Sequence, residues 1–229
     1  IYGVAIPQLW SVLAGLGDRS VTAMDNAEKL LETDLGIRLA YPAYSYPRDY
    51  IGSMCEKMPG CQDNGGIYLH TSAWKLAVDC LLRRPDLVEA GIKKILPSDR
   101  DYAEKCGEPY ALYNSYFAPE TGYRAGTPGQ SWRTAASSWF LKSMIEYVFG
   151  MHAELGGLRI DPCLPLSWKE SKITKVLRDC TYEVTYLCDG TGSDILSMEV
   201  DGKPVSYDQN IIPPVAGQTL HVVVKLGKK

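Results

Sequence analysis

Two stretches of this sequence concentrate side chains able to hold an anion or a sugar. In residues 57–70, Lys57, Gln62, Asp63 and His70 surround the turn-forming Asn64-Gly65-Gly66. In residues 107–135, Glu108, Asn114, Thr134 and Ala135 are spaced through and after a tyrosine-rich segment. His70 stands just before an apolar-periodic run and can donate from an imidazole nitrogen. Thr134 and Ala135 open another such run, where a hydroxyl and free backbone N–H groups meet an anion along the helix dipole. Each residue also has a plainer role. A histidine at a helix start can be structural, and Thr134 is by default an N-cap. Asn114 can satisfy local backbone, Asp63 can form the turn before Asn64, and Glu108 can bond a loop amide as readily as a sugar.

The elements that must position these residues read as helical over the first 150 or so residues and as strands over the last 70 or so. Helices are expected over 7–16, 20–35, 70–82, 85–96 and 134–149. Asp18 or Ser20 is the cap candidate of the second, with Val21, Met24, Leu31 and Leu35 on one face and Gly36 as its stop. Trp74, Ala77, Val78 and Leu81 give the third its stripe, and the short link at Arg83-Arg84 makes the third and fourth an antiparallel pair. The segments 40–66 and 97–131 are expected to be long loops, and loops of that length in a compact domain are usually functional. Helical hairpins with long loops at one end suggest part of an α/α toroid with its site at the loop end. After Gly156-Gly157, strand composition appears over 172–177, 181–187, 195–200 and 219–226, with Asp201-Gly202 as a hairpin turn. A small antiparallel β domain follows from that pattern.

The chain has 229 residues, 45% of them hydrophobic and 22% charged, with a net charge of −3. That charge argues against a nucleic-acid partner, which requires a basic surface, so any anion must be held locally by a few placed donors. No stretch approaches the roughly 18 apolar residues of a membrane span, and no basic-then-apolar leader opens the chain. The sequence starts without Met in a helix approach, so residues upstream are expected. Its seven cysteines, Cys55, Cys61, Cys80, Cys106, Cys163, Cys180 and Cys188, show no metal-ligand spacing and read as reduced thiols of a cytoplasmic protein.

Four motifs carry a family resemblance: Met58-Pro-Gly-Cys-Gln-Asp-Asn-Gly-Gly-Ile-Tyr-Leu-His70, Gly107-Glu-Pro-Tyr110, Gln130-Ser-Trp-Arg-Thr134 and Leu158-Arg-Ile-Asp-Pro-Cys-Leu-Pro165. In this order, and preceded by Pro7-Gln-Leu-Trp10, they resemble glycoside hydrolase family 94, the inverting phosphorylases of cellobiose, chitobiose, cellodextrins and related β-glucosides. The resemblance covers the whole chain. It implies an α+β protein in which residues 1–156 are the second half of an (α/α)6 toroid and residues 157–229 a small antiparallel β-sandwich domain. The family's general acid is an aspartate in a Trp-Asn-Asp context, expected upstream of residue 1, so no catalytic acid is assigned.

The resemblance also assigns roles. Inverting hydrolysis needs an acid for the leaving oxygen and a base that activates water. Phosphate is already an anionic nucleophile, so phosphorolysis needs a cradle of neutral and cationic donors in place of the second carboxylate. His70 matches the family's phosphate histidine, and Thr134 with Ala135 matches a Thr-Gly pair, Ala keeping the N–H but adding a methyl. Asn114 falls where many relatives have a phosphate-binding glutamine. Gln62 and Asp63 fall where sugar hydroxyls are bonded, Asp63 with a shorter reach than the usual Glu. Lys57 points at the acceptor sugar and Glu108 is a further sugar contact. The implied activity is reversible phosphorolysis of a β-linked glucoside to an α-sugar 1-phosphate. Inorganic phosphate is the co-substrate, with no cofactor, metal, nucleic acid or membrane, and the full-length protein is a cytoplasmic homodimer. The alternatives are an inverting hydrolase on the same fold, or the phosphorylase-like tail of a larger glucan-synthesising protein.

Overall fold

The computed structural model describes residues 3–99, 107–108, 110–206 and 210–229. Cys106, and Pro109 of the Gly107–Tyr110 motif, lie outside the described residues. The chain is a mixture of helices and small sheets. It divides into two compact units, Ile1–Val78 with Ala90–Leu141, and Asp79–Glu89 with Lys142–Lys229.

In the first unit, α1 (Ala5–Leu13) buries Ala5, Leu9 and Val12, and α2 (Asp18–Leu31) buries Ser20, Met24, Ala27 and Leu31. These are the i, i+4, i+7 stripes of a helix with one face on a core. Neither Asp18 nor Ser20 caps α2. Gly17 takes the N-cap position at φ 80°, and the Ser20 hydroxyl donates to its carbonyl at 2.6 Å. The helix also stops at Leu31, short of the expected Leu35, because Glu32 turns extended and the Thr33 hydroxyl builds its own turn by donating to the Gly36 carbonyl at 2.6 Å. Helices α3 (Leu69–Leu81) and α4 (Pro85–Ile95) lie where the periodicity places them, joined through Arg83 at φ 56°.

Short strands pair around these helices. β1 (Gly3–Val4) pairs with β2 (Ala40–Tyr41). The tyrosine-rich segment, expected as loop, instead supplies β4 (Tyr113–Tyr116) and β5 (Pro128–Ser131). These join β3 (Ile67–Tyr68) in an antiparallel sheet of order β3-β4-β5. What makes β4 a strand is burial: Tyr113 and Tyr116 are 4% and 1% exposed, packed with Ile67, Leu69, Ala118 and Ala136. The expected helix over 134–149 is α-helical only in α5 (Ala136–Lys142) and then winds as a π-helix over Ser143–Val148. The Phe149 N–H donates to the Met144 carbonyl at 2.8 Å, the i+5 bond of that form.

The second unit carries two sheets. β6 (Met151–Glu154) and β7 (Gly157–Ile160) form a hairpin, with β12 (Ile211–Ile212) on the far edge of β7. The larger sheet has the order β11 (Lys203–Val205), β10 (Asp194–Val200), β13 (Thr219–Gly227), β9 (Cys180–Cys188), β8 (Glu170–Leu177). Asp201 and Gly202, at φ 50° and 73°, make the β10–β11 turn anticipated for that pair. All pairs are antiparallel except β9–β13. β13 inserts between β9 and β10, which run in opposite directions, so it must parallel one of them. Cys180, Tyr182, Val184, Tyr186 and Cys188 alternate onto the buried face of β9. Both tyrosine hydroxyls there are satisfied, Tyr182 donating to the Ile212 carbonyl at 3.2 Å and Tyr186 to the Phe149 carbonyl at 2.5 Å. Burial pushes both phenols well above their ordinary pKa. The six described cysteines are free, five of them buried.

Gly150 ends the π-helix at φ 63°, and a Cβ there would run into the backbone of Asp161 and Pro162. Gly150→Ala is therefore expected to cost more than about 2 kcal/mol, since it combines a disfavoured φ with a backbone clash. A lower urea midpoint at unchanged slope reads it out.

Candidate functional site

The register of the three-stranded sheet decides where the predicted phosphate residues lie. Tyr68 of β3 pairs with Ser115 of β4, and Tyr113 of β4 pairs with Ser131 of β5, both antiparallel. The exit of β3, the entry of β4 and the exit of β5 therefore share one end of the sheet. His70 follows β3, Asn114 lies in β4, and Thr134 with Ala135 follows β5, so all four candidates converge there. Ala136 belongs to the same buried cluster as Ile67, Leu69 and Tyr113, which fixes the start of α5 against the sheet.

His70 is the second residue of α3. Its ring stacks on Tyr68, centroids 5.5 Å apart at 23°, and tilts against Trp74 at 5.7 Å. Trp74 in turn meets Trp10 and Trp139 edge-to-face at 5.4 and 5.8 Å, so the aromatic chain links the starts of α3 and α5 through packed rings. His70 Nδ1, Thr71 Oγ1 and Trp74 Nε1 are buried with no hydrogen-bond partner among the described residues. Such orphans are rare in folded proteins and mark places where a water or ligand completes the bonding. Burial alone lowers the His70 pKa below its ordinary value of 6.5, so the ring is neutral at pH 7 and keeps one N–H to donate.

Thr134 does cap α5: its Oγ1 accepts from the Ala136 N–H at 3.0 Å, while the Ala135 carbonyl accepts from the Trp139 N–H at 3.2 Å. Capping uses the oxygen as acceptor and leaves the hydroxyl hydrogen to donate elsewhere. Ala135 is exposed, and Asn114 is half-buried.

The predicted sugar residues sit on a different scaffold, the loop 42–66. Its lock is Asn64, 1% exposed. The Asn64 Oδ1 accepts from the Tyr44 N–H at 2.8 Å, and its Nδ2 donates to the carbonyls of Tyr44 at 2.9 Å and Lys57 at 2.8 Å. The following glycines are required by close approach: a Cβ on Gly66 would stand 2.5 Å from the Gln62 nitrogen, and one on Gly65, at φ 84°, 2.9 Å from the Ala40 carbonyl. Gln62 itself adopts φ 48°. Lys57 and Asp63 form an ion pair with each other, so their charges cancel locally.

Glu108 belongs to the sheet end and not to this loop. Its Oε1 accepts from the Trp132 indole N–H at 3.3 Å, and its backbone N–H donates to the Tyr113 hydroxyl. Sequence reasoning missed Asn64 as a lock and Trp132 as a partner of Glu108. The Asn-Gly-Gly run signals a turn but not the two stretches of chain that the amide ties together. Among the described residues no group of three or more His, Cys, Asp or Glu could hold a metal ion, and no helix is long and apolar enough to cross a membrane.

Comparison with known proteins places the chain in a family. Residues 4–150 match the family described as the glycosyl hydrolase 94 superfamily, catalytic domain. The chain is 29% identical over 224 residues to a solabiose phosphorylase of Paenibacillus borealis, covering 96% of this chain and 29% of that protein. It is 30% identical over 223 residues to an N,N'-diacetylchitobiose phosphorylase of Vibrio proteolyticus, covering 95% and 27%. A 3-O-beta-D-glucopyranosyl-beta-D-glucuronide phosphorylase of Paenibacillus borealis is 28% identical over 227 residues, at 96% and 29%. The chain thus spans less than a third of the length of the curated relatives it matches. With most of its length, including the sheet that gathers His70, Asn114 and Thr134, inside the matched region, the chain belongs to the glycosyl hydrolase 94 superfamily.

Proposed function

We propose that this chain is the phosphate-holding part of an inverting glycoside phosphorylase. The observation that carries the reading is that the register brings the segments of His70, Asn114, Thr134 and Ala135 to one end of the β3-β4-β5 sheet, where the His70 imidazole is neutral and leaves Nδ1 unpartnered among the described residues. In the reaction, a phosphate oxygen forms a bond to the anomeric carbon from the face opposite the scissile bond. The bond to the leaving sugar oxygen breaks, and a general acid protonates that oxygen. The products are an α-sugar 1-phosphate and the freed acceptor. His70 and Thr134 donate to phosphate oxygens, the Ala135 amide adds a third donor, and the Asn114 amide a fourth. Gln62, Asp63, Lys57 and Glu108 are assigned to sugar hydroxyls.

The acid is an aspartate outside this chain, so the chain alone does not turn over. Residues 1–156 are assigned to the C-terminal half of an (α/α)6 barrel, and residues 157–229 to a β-sandwich that closes it. The full protein is assigned as a cytoplasmic homodimer with no cofactor beyond phosphate. The names of the three relatives, each a phosphorylase, support phosphorolysis over hydrolysis.

Disaccharide breakdown by the full-length protein should be abolished when phosphate is withheld. Release of free monosaccharide without phosphate would make it a hydrolase. In that protein, His70→Ala and Thr134→Ala should each raise the KM for phosphate by about tenfold, about 1.4 kcal/mol, with the sugar KM changed far less. Thr134→Ser, which retains the cap and the hydroxyl, should stay near wild type, whereas a cap-only role would leave the phosphate KM of Thr134→Ala unmoved. The His70 ring should titrate below 6.5, so its folded-state penalty is absent above that pH and grows as pH falls through it. Imidazole NMR of the chain shows this as a neutral His70 at pH 7.

A further inference from the structure

Trp132 is held in a conformation that packing does not explain. Its backbone sits at φ 65°, a region uncommon for a bulky side chain, yet the ring is 72% exposed. Beside it, at 6.5 Å between centroids, lies Tyr110, 77% exposed. The indole N–H is fixed on Glu108 Oε1 at 3.3 Å. Glu108 is fixed in turn by Tyr113, whose hydroxyl takes the Glu108 N–H and lies 3.4 Å from its Oε2. Tyr113 is buried and in register with Ser131, the residue preceding Trp132. Two open aromatic faces and a carboxylate are therefore positioned by one buried tyrosine, at the sheet end that carries Asn114 and precedes Thr134.

We infer that Trp132 and Tyr110 form a stacking platform for a pyranose ring of the substrate, with Glu108 accepting from that sugar's hydroxyls. An aromatic face attracts polarised C–H groups, and a β-glucopyranose with all its hydroxyls equatorial offers a flat face of axial C–H bonds. A carboxylate at the platform's edge supplies acceptors for the equatorial hydroxyls. The Trp132–Glu108 bond sets the angle between the two. An axial hydroxyl, as at C4 of galactose, would interrupt the apolar face, so the platform selects gluco-configured rings. The inference rests on the phosphorylase reading only in taking the ligand to be a sugar.

The test uses the full-length protein and methyl β-D-glucopyranoside as probe, with affinity measured by titration in the absence of phosphate. Trp132→Ala should weaken binding by about tenfold or more, and Trp132→Phe, which keeps a ring but loses the bond to Glu108, by about threefold. Methyl β-D-galactopyranoside should bind less tightly than the glucoside to wild type, and the difference should shrink in Trp132→Ala. In turnover, the same variants should raise the sugar KM and leave the phosphate KM within about twofold. Unchanged glucoside affinity in a folded Trp132→Ala protein would overturn the platform. So would a fall in melting temperature with sugar affinity unchanged, which would make the rings a packing surface. Because binding is read without phosphate or turnover, a failure of the phosphorylase reading shows up separately, as breakdown that does not need phosphate.

Discussion

Strand β4 is hydrogen-bonded along both edges, to β3 on one side and β5 on the other, and the candidate site depends on that double pairing. Each edge fixes a register. Tyr68 against Ser115 sets where α3 begins, and Tyr113 against Ser131 sets where the approach to α5 begins. A slip of one residue along β4 would move Tyr113 and Tyr116 out of the positions that bury them. Burial of those tyrosines with Ile67 and Leu69 opposes the slip. At about 25 cal/mol per Å² of apolar surface, burying an aromatic side chain outweighs any single hydrogen bond in such a short sheet. The packing of a handful of largely apolar side chains thus controls where the polar groups at this sheet end stand.

The two scaffolds use different means. The sheet end is positioned by apolar burial, whereas the loop 42–66 is positioned by one buried amide and two glycines. Asn64 commits its acceptor and both donors to backbone, so the loop's approach is fixed without any side chain that would occupy the space beside Gln62 and Lys57. Buried amides are costly when unsatisfied and strongly positioning when every bond is made. The contrast with α3 is informative. Asn64 is saturated, while His70, Thr71 and Trp74 each leave a buried polar atom unpartnered within the first two turns of one helix.

Much of this architecture is legible in the order of residues alone. The helices over 70–82 and 85–96 and the four expected strands of the second unit stand within a residue or two of their periodic runs, because burial on one face is a local pattern. The turn at Asp201-Gly202 is readable for the same reason. What escapes depends on partners distant in sequence. β4 and β5 carry few strand formers and exist because β3, more than forty residues away, lends them an edge. The parallel β9–β13 pair follows from where β13 inserts, which no local pattern encodes. The π-winding over Ser143–Val148 and the left-handed backbone at Trp132 likewise leave no trace in residue type. The residues of the candidate site are legible by resemblance to a family. Their common position is not, since it is a property of the register.

Charge placement bears on which chemistry such a site favours. The protein carries a net charge of −3, so an approaching phosphate gains nothing from the overall field. What matters is the local set, and there the carboxylates are engaged. Asp63 is compensated by Lys57, and Glu108 accepts from the Trp132 indole. A hydrolytic base must point at the attacking water, and in this chain each of these carboxylates points instead at a neighbouring donor. His70, kept neutral by burial, offers a donor without a counter-charge that would have to be desolvated. In the proposed reading, neutral donors at a helix start and a strand end would supply the uncharged part of the phosphate cradle. Engaged carboxylates beside uncharged donors would thus suit the anionic nucleophile of the proposed reaction better than an activated water.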